Sequence, residues 1–142
     1  MTPAWPRAWG GAVGSAVLRR RPEDFQVRER LGFDLAGEGE HVFLHLQKRE
    51  LNTRELVQRV ARVSGVSARD VGYSGLKDRN ALTSQWLSVG LAGRAEPDWR
   101  DLEDDGSVRV LGSGRHLKKL KRGVHRANEF RLQLTCLEGD PD

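Results

Sequence analysis

One strand-like stretch constrains the fold more than any other part of the sequence. Residues 41–48 alternate in character, so that Val42, Leu44 and Leu46 lie on one side. The side chains between them, on the other side, are His41, Phe43, His45 and Gln47. Alternation with a period of two is typical of a β-strand with one buried face. The stretch is therefore the clearest β-strand that the sequence predicts.

A helix follows this strand almost at once. Asn52 with Glu55 three residues later is an N-cap signal, and Gly65 is a typical residue just past a helix end. Between them the apolar residues form one helical stripe of Leu56, Val57, Val60, Ala61 and Val63. The pattern predicts a helix that ends at about Ser64.

The remaining periodic segments read as further strands, joined by polar loops. These strands are predicted at 15–20, 25–30, 71–74, 82–89, 108–111 and 129–137. Residues 32–39 read as a hairpin-like loop, and residues 90–105 as an acidic loop. The sum is an α+β fold with a mostly antiparallel sheet and helix packing. Residues 1–14 are expected to be a flexible segment, and residues 15–142 to form one domain.

Length and composition limit the class of protein. A chain of 142 residues corresponds to about one domain. Its single cysteine, Cys136, excludes an internal disulfide framework and fits a reducing compartment, so we expect a cytoplasmic protein. Its place late in a strand predicts a buried, inert thiol. No stretch is apolar enough for a transmembrane helix, and the N-terminus lacks the pattern of a secretory signal.

The charge is unevenly distributed. Residues 107–131 hold eight basic side chains and one acidic one, although the net charge of the chain is only +4. Residues 96–105, just before, hold six acids and one arginine. A basic block of this kind favours a surface for a polyanion, and a solvated strand-and-turn face is the alternative.

A glycine-containing loop carries the strongest candidate for chemistry. In it Asp78 lies between Lys77 and Arg79, and positive charge on both sides favours the ionised carboxylate. Such a group can act as a nucleophile or a base. The alternative is a turn aspartate that caps its own loop.

Four stretches in order resemble the TruD family of tRNA pseudouridine synthases. They are P-E-D-F-Q-V-R-E at 22–29, G-E-G-E-H at 37–41 with N-T at 52–53, G-L-K-D-R-N-A-L-T-S-Q-W at 75–86, and H-L-K-K-L-K-R-G at 116–123 with N-E-F at 128–130. The resemblance covers residues 15–137. It implies the N-terminal part of a pseudouridine synthase catalytic domain.

The resemblance also implies a reaction and a substrate. The family breaks the glycosidic bond of uridine 13 in tRNA, turns the uracil and rejoins it through C5, without cofactor or metal. Its essential aspartate corresponds to Asp78, which acts either as a nucleophile or as a base that removes a sugar proton. The partner is tRNA and not a membrane. His41 and His45 share a strand face, but no third ligand suggests a metal site.

Two further residues are substrate-binding candidates through the resemblance. Phe25 matches the aromatic residue of P-E-D-F and offers a face to a flipped base, although strand core is the alternative. Asn128 matches the asparagine of N-x-F, and its amide suits a uracil edge or a loop backbone. We expect Phe130 and Trp86 to be core residues.

Basic residues around these positions are candidates for RNA phosphate contacts or for supporting the site. For Lys77 and Arg79 a surface charge is the alternative. Phosphate contacts fix affinity and register without reading sequence. The full set is Arg19, Lys77, Arg79, Arg115, Lys118, Lys119, Lys121 and Arg122.

The chain also departs from the family pattern. Family members are about twice as long or more, and a downstream F-G-x-x-R-F-G motif and a late aromatic residue of the uracil pocket are absent. A glycine usual before Asn128 is replaced by Ala127. We therefore expect self-association or a missing C-terminal half. A non-catalytic RNA-binding module and a structural domain with a solvated basic patch remain rival hypotheses.

Overall fold

The predicted strands assemble around one helix in the computed structural model, which describes residues 4–139. Over that range the helix α1 is Thr53–Ser64. The eight strands in the same range are β1 (Gly14–Val17), β2 (Phe25–Arg30), β3 (His41–Arg49), β4 (Val71–Tyr73), β5 (Leu82–Gly90), β6 (Val108–His116), β7 (Ala127–Leu132) and β8 (Thr135–Gly139). Short 3-10 helices precede β2, β4 and β6 at Pro22–Asp24, Ala68–Asp70 and Trp99–Glu103.

The main sheet has the strand order β6-β3-β5-β2-β7, and β4 pairs with the C-terminal half of β5. All of its pairings are antiparallel except β2 with β5, which is parallel. A separate two-stranded sheet joins β1 to β8. The prediction of an α+β fold with a mostly antiparallel sheet is confirmed.

Phe43 is buried on one side of β3 with Leu31 and Leu120, and the side that carries Val42 is the main covered face of the sheet. Val42, Leu44 and Leu46 are buried there against the apolar stripe of α1. The helix begins where predicted, because the Asn52 side chain accepts a hydrogen bond from the Glu55 amide at 2.8 Å. It ends at Gly65, whose φ of 70° is favoured by glycine.

Several predicted boundaries are wrong, each for a local reason. β1 stops at Val17 rather than Arg20, and Arg19 has a left-handed φ of 58°, which a strand cannot contain. β1 begins at Gly14, one residue before the predicted domain boundary, while residues 1–3 and 140–142 lie outside the described range. β6 continues to His116 because it pairs with the whole length of β3.

The acidic segment 90–105 is not simply a loop. Its 3-10 helix buries Trp99 and Leu102 in the same core as α1. The loop 32–39 is not a hairpin, because β5 lies between the two strands that it joins.

The predicted strand 129–137 is two strands in different sheets. β7 ends at Leu132, and the Gln133 amide then donates to the Asp24 carbonyl at 2.8 Å, which turns the chain away. Cys136 in β8 is exposed, so the prediction of a buried thiol is wrong.

Candidate active site

The loop that carries Asp78 is anchored to the sheet and to α1 by its backbone. The Lys77 amide donates to the Thr53 hydroxyl at 2.9 Å, and that hydroxyl donates to the Gln85 side chain at 3.1 Å. Gln85 in turn donates to the Gly75 carbonyl at 3.2 Å. Thr53 and Gln85 belong to the N-T and T-x-Q-W motifs, so these motifs are physically one assembly that fixes the loop.

The Asp78 carboxylate is half-exposed and held by a cation that is distant in sequence. Its Oδ2 accepts a hydrogen bond from the Arg19 guanidinium at 2.7 Å. Its Oδ1 accepts from the Asn80 amide at 3.2 Å, so it also caps its own loop, as the alternative reading expected. With side-chain exposure of 38%, the carboxylate keeps a face open to an incoming group.

The basic neighbours of Asp78 in sequence do not contact its carboxylate. Lys77 is buried and forms an ion pair with the buried Glu29 at 2.8 Å. Arg79 lies on the surface and pairs with Glu55 at 2.9 Å. Lys77 therefore has no free face for phosphate, and of its two predicted roles only the supporting one fits.

Phe25 is brought next to Asp78 through Arg19. The Arg19 guanidinium carbon lies 3.9 Å from the centre of the Phe25 ring, while the same group holds Asp78. Phe130, expected in the core, is 63% exposed and lies 6.1 Å from Phe25 between ring centres. The prediction of a core Phe130 is therefore wrong, and an aromatic surface lies beside the carboxylate.

Asn128 faces the same side of the sheet, opposite Glu29 in the β2–β7 pairing. Its Nδ2 lies 3.4 Å from His125 Nε2, and the other ring nitrogen of His125 lies 2.5 Å from the Ser74 hydroxyl. The Oδ1 of Asn128 is buried and has no hydrogen-bond partner among the described residues. This acceptor is therefore left unpaired inside the protein, beside His125.

The middle of the basic block, residues 115–126 (the basic segment), lies against β4, next to the loop that carries Asp78. Gly72 permits this approach, because a Cβ there would lie 2.3 Å from the Leu120 carbonyl oxygen. The Gly123 amide donates to the Ser74 carbonyl at 2.8 Å. A groove of about 630 Å³ runs between the segment and β4.

The predicted phosphate contacts in this segment differ in availability. Arg115 pairs with Glu96 at 3.1 Å, and the Lys119 ammonium donates to the Arg69 carbonyl. Arg122 stacks on the Tyr73 ring, with its guanidinium carbon 4.0 Å from the ring centre. Lys118 and Lys121 are exposed and show no hydrogen bond or ion pair to any residue in 4–139.

The histidines on β3 have other contacts. His45 stacks on Trp86 with ring centres 4.6 Å apart, and burial lowers the pKa of His45 below its usual value. Trp86 is only half-buried, although it makes this contact.

Within the described part of the chain no three His, Cys, Asp or Glu side chains are grouped as a metal site would require. No helix between residues 4 and 139 is long and apolar enough to cross a membrane.

Sequence reasoning missed Lys48 and Glu29, two buried charges beside the loop. Lys48 is fully buried, and its ammonium donates to the carbonyls of Leu51 and Asp78 at 2.6 and 2.9 Å. Strand parity is the signal that could have found both. Lys48 has the parity of Val42, Leu44 and Leu46, which are buried against α1, and Glu29 shares that of the buried Val27.

The site therefore combines a single carboxylate on an anchored loop with aromatic rings and a basic groove beside it. Comparison with known proteins shows the family. A family model described as tRNA pseudouridine synthase D (TruD) matches residues 10–142. The chain therefore belongs to the TruD family.

Individual relatives show the same similarity. A protein named tRNA pseudouridine synthase D from Pseudomonas syringae pv. syringae is 53% identical over 137 residues, which are 96% of this chain and 39% of that protein. One of the same name from Methylococcus capsulatus is 54% identical over 134 residues, 94% of this chain and 38% of its own length. The chain thus spans about two-fifths of the length of these curated relatives.

A solved structure is also similar. A protein from Methanosarcina mazei, assigned as a tRNA pseudouridine synthase D, superposes with a TM-score of 0.74 at 29% identity. The match covers 92% of this chain and 29% of that one.

Proposed function

We propose that this chain supplies the catalytic carboxylate of a tRNA pseudouridine synthase that isomerises uridine 13. The observation that carries the proposal is the position of Asp78. It is ion-paired to Arg19, open on one side, and adjacent to the aromatic pair Phe25 and Phe130. Relatives that share more than half of their aligned residues with this chain carry the same activity in their names.

The site residues suit the steps of this reaction. The glycosidic bond between N1 and C1′ breaks, the uracil turns, and a bond forms between C5 and C1′. The C5 proton leaves to solvent, and N1 gains one, so that the product is an isomer of the substrate. Asp78 either attacks the nucleotide or removes a sugar proton, and the hydrogen bond from Arg19 orients its carboxylate. Phe25 offers a stacking face to the flipped base, a contact worth about 1–3 kcal/mol. Asn128 lies on the same face of the sheet, and its amide is the candidate partner for the uracil edge.

The remaining groups of the pocket, in this proposal, come from a part of the relatives that this chain does not match, or from a second copy. A non-catalytic RNA-binding module is the rival function. It is favoured by the exposure of Phe130, since an unfinished pocket leaves such a ring uncovered.

The first prediction concerns Asp78. Asp78→Asn keeps the size of the side chain and removes its negative charge, so tritium release from 5-tritiated uridine in tRNA should fall to background. Asp104→Asn, an exposed acid in the segment before β6, is the matched control and should retain release. Both variants should bind tRNA as the unchanged chain does.

Two proteins make this test decisive. One is the 142-residue chain, and the other joins it to the unmatched remainder of the Pseudomonas syringae relative. Release by the joined protein alone would show that the chain needs further pocket groups. Background release by the joined protein, despite tRNA binding, would contradict the enzymatic proposal and favour the binding module.

The second prediction concerns the basic segment. Each phosphate contact contributes about 0.7–0.9 to the slope of log affinity against log salt. Replacing Lys118 and Lys121 with glutamine should therefore lower the tRNA-binding slope by about 1.4–1.8. Arg62 lies on α1 and Arg94 lies in the acidic segment 90–105, so replacing these two with glutamine should leave the slope unchanged. If both pairs of substitutions lowered the slope equally, the salt dependence of tRNA binding would depend on the net charge of the chain and not on the basic segment.

A further inference from the structure

Lys48 is a buried cation that forms no ion pair with any residue between 4 and 139. Its ammonium donates to three backbone carbonyls, those of Leu51 at 2.6 Å, Asp78 at 2.9 Å and Lys77 at 3.4 Å. An ammonium has three donors, so all of them are used on the backbone. Burying a charge this way is costly unless every donor finds an acceptor. The arrangement therefore makes the surrounding backbone depend on the charged form of Lys48.

The base of this side chain is held firmly. Lys48 lies in β3, which pairs on both sides, and its partners in register are Thr83 of β5 and Val108 of β6. Its ammonium thus connects the loop that carries Asp78, and Leu51 just before α1, to the centre of the sheet. One of the carbonyls it holds belongs to Asp78 itself, which sets the orientation of that peptide unit.

We propose that Lys48 is a positioning residue, whose ammonium holds the backbone of Asp78 so that its carboxylate stays with Arg19 beside Phe25. The proposal rests on the proposed function for the chemistry of Asp78. It goes further by assigning the order of the loop to a single buried charge.

The charge of Lys48 responds to pH in an accessible range. Burial is the main cause that lowers the pKa of Lys48 to about 8. The charged groups that face it are Asp78 and Lys77 from the loop and Glu55 from α1, while Thr83 and Val108 on the neighbouring strands do not titrate. As pH rises through about 8, the ammonium loses a proton and the loop should loosen.

Global stability should move in the opposite direction. The folded pKa of Lys48 is below the value of 10.5 expected for the unfolded chain, so between these values the unfolded chain binds more protons. The contribution of Lys48 to the free energy of unfolding therefore increases as pH rises from about 8 to 10.5. If Lys48 positions the loop, the loop should loosen while this contribution increases. If Lys48 only supports the fold, the order of the loop should follow the free energy of unfolding.

The test follows the amide NMR signals of residues 77–80 against pH in the 142-residue chain. The unchanged chain should show a midpoint near pH 8 in these signals. Lys48→Met should remove the midpoint and lower the protection of the Lys77 amide about tenfold relative to β3 and β5. Lys48→Arg should keep the loop ordered without a midpoint, because guanidinium stays charged in this range.

A core variant supplies the control. Val60→Ala removes core packing about two turns along α1 from Thr53, so it should keep the midpoint and the relative protection of Lys77. The proposal is overturned if the unchanged chain shows no midpoint, if Lys48→Met keeps it, or if Val60→Ala loosens the loop equally. The pH titration of the unchanged chain tests the proposal even if Lys48→Met does not fold. Tritium release plays no part in these readings, so failure of the proposed function is seen separately.

Discussion

At the scale of residues, two like charges that flank Asp78 have opposite surroundings. Lys77 pairs with Glu29 inside the protein, and Arg79 pairs with Glu55 at the surface. Lys77→Met leaves the Glu29 carboxylate buried without its partner, which should cost about 3–5 kcal/mol of unfolding free energy. Arg79→Met should cost at most about 1 kcal/mol. Urea denaturation of the two variants measures the difference.

A double variant checks the cause. Adding Glu29→Leu to Lys77→Met removes the stranded charge and should restore part of the loss. Restoration should be incomplete, since Glu29 also accepts a hydrogen bond from the Trp86 amide at 3.0 Å. Equal losses for Lys77→Met and Arg79→Met would show that the buried pair is not specially important.

At the scale of elements, the turn into β6 is fixed by one carboxylate. Asp105 accepts hydrogen bonds from the Ser107 hydroxyl at 2.6 Å and amide at 2.9 Å, and pairs with Arg59 of α1 at 2.8 Å. The Ser107 hydroxyl is the main cause that lowers the pKa of Asp105 to about 2. The stabilisation is present above the usual value of 3.8 and is lost as pH falls towards about 2.

Removing the hydroxyl should reverse most of this effect. Ser107→Ala should raise the pKa of Asp105 towards 3.8, as measured by carboxyl carbon NMR during an acid titration. Ser113→Ala, at an exposed position on the same strand, should leave it unchanged. An unaltered Asp105 titration in Ser107→Ala would assign the low pKa to the Ser107 amide and Arg59 instead.

At the scale of the whole molecule, the β7 end of the main sheet is unusually apolar for a surface. β7 is an end strand of the main sheet, and the exposed apolar side chains on and beyond it are Phe130, Leu132, Leu134 and Leu137. Such a patch with a free strand edge favours association. The isolated chain should therefore self-associate as its concentration rises in sedimentation velocity runs.

Charged substitutions in this patch test whether association depends on it or on exposed apolar residues in general. Leu132→Lys with Leu134→Lys should reduce association while circular dichroism stays the same. Leu117→Lys, equally exposed but in the basic segment, should have little effect on association. Association that persists in the double variant would place the contact elsewhere on the chain.

Much of the local structure follows from short stretches of sequence. The β3 alternation, the Asn52 cap and the glycine after α1 predict these elements correctly, because each depends on residues within a few positions. The motif around Asp78 likewise indicates the loop and its candidate carboxylate. Boundaries that depend on distant partners, such as the end of β6 and the split between β7 and β8, are not predictable in this way.

The sequence by itself therefore determined the strand faces, the helix and the candidate carboxylate. Only the tertiary structure decided which charges meet. Neighbours in sequence suggested that Lys77 and Arg79 would hold Asp78, whereas Arg19 does so from 59 positions away. The cause is physical. Periodicity and capping are short-range, but strand order and burial decide which cation reaches a carboxylate, and the parallel pairing of β2 with β5 brings the start of the chain to the loop.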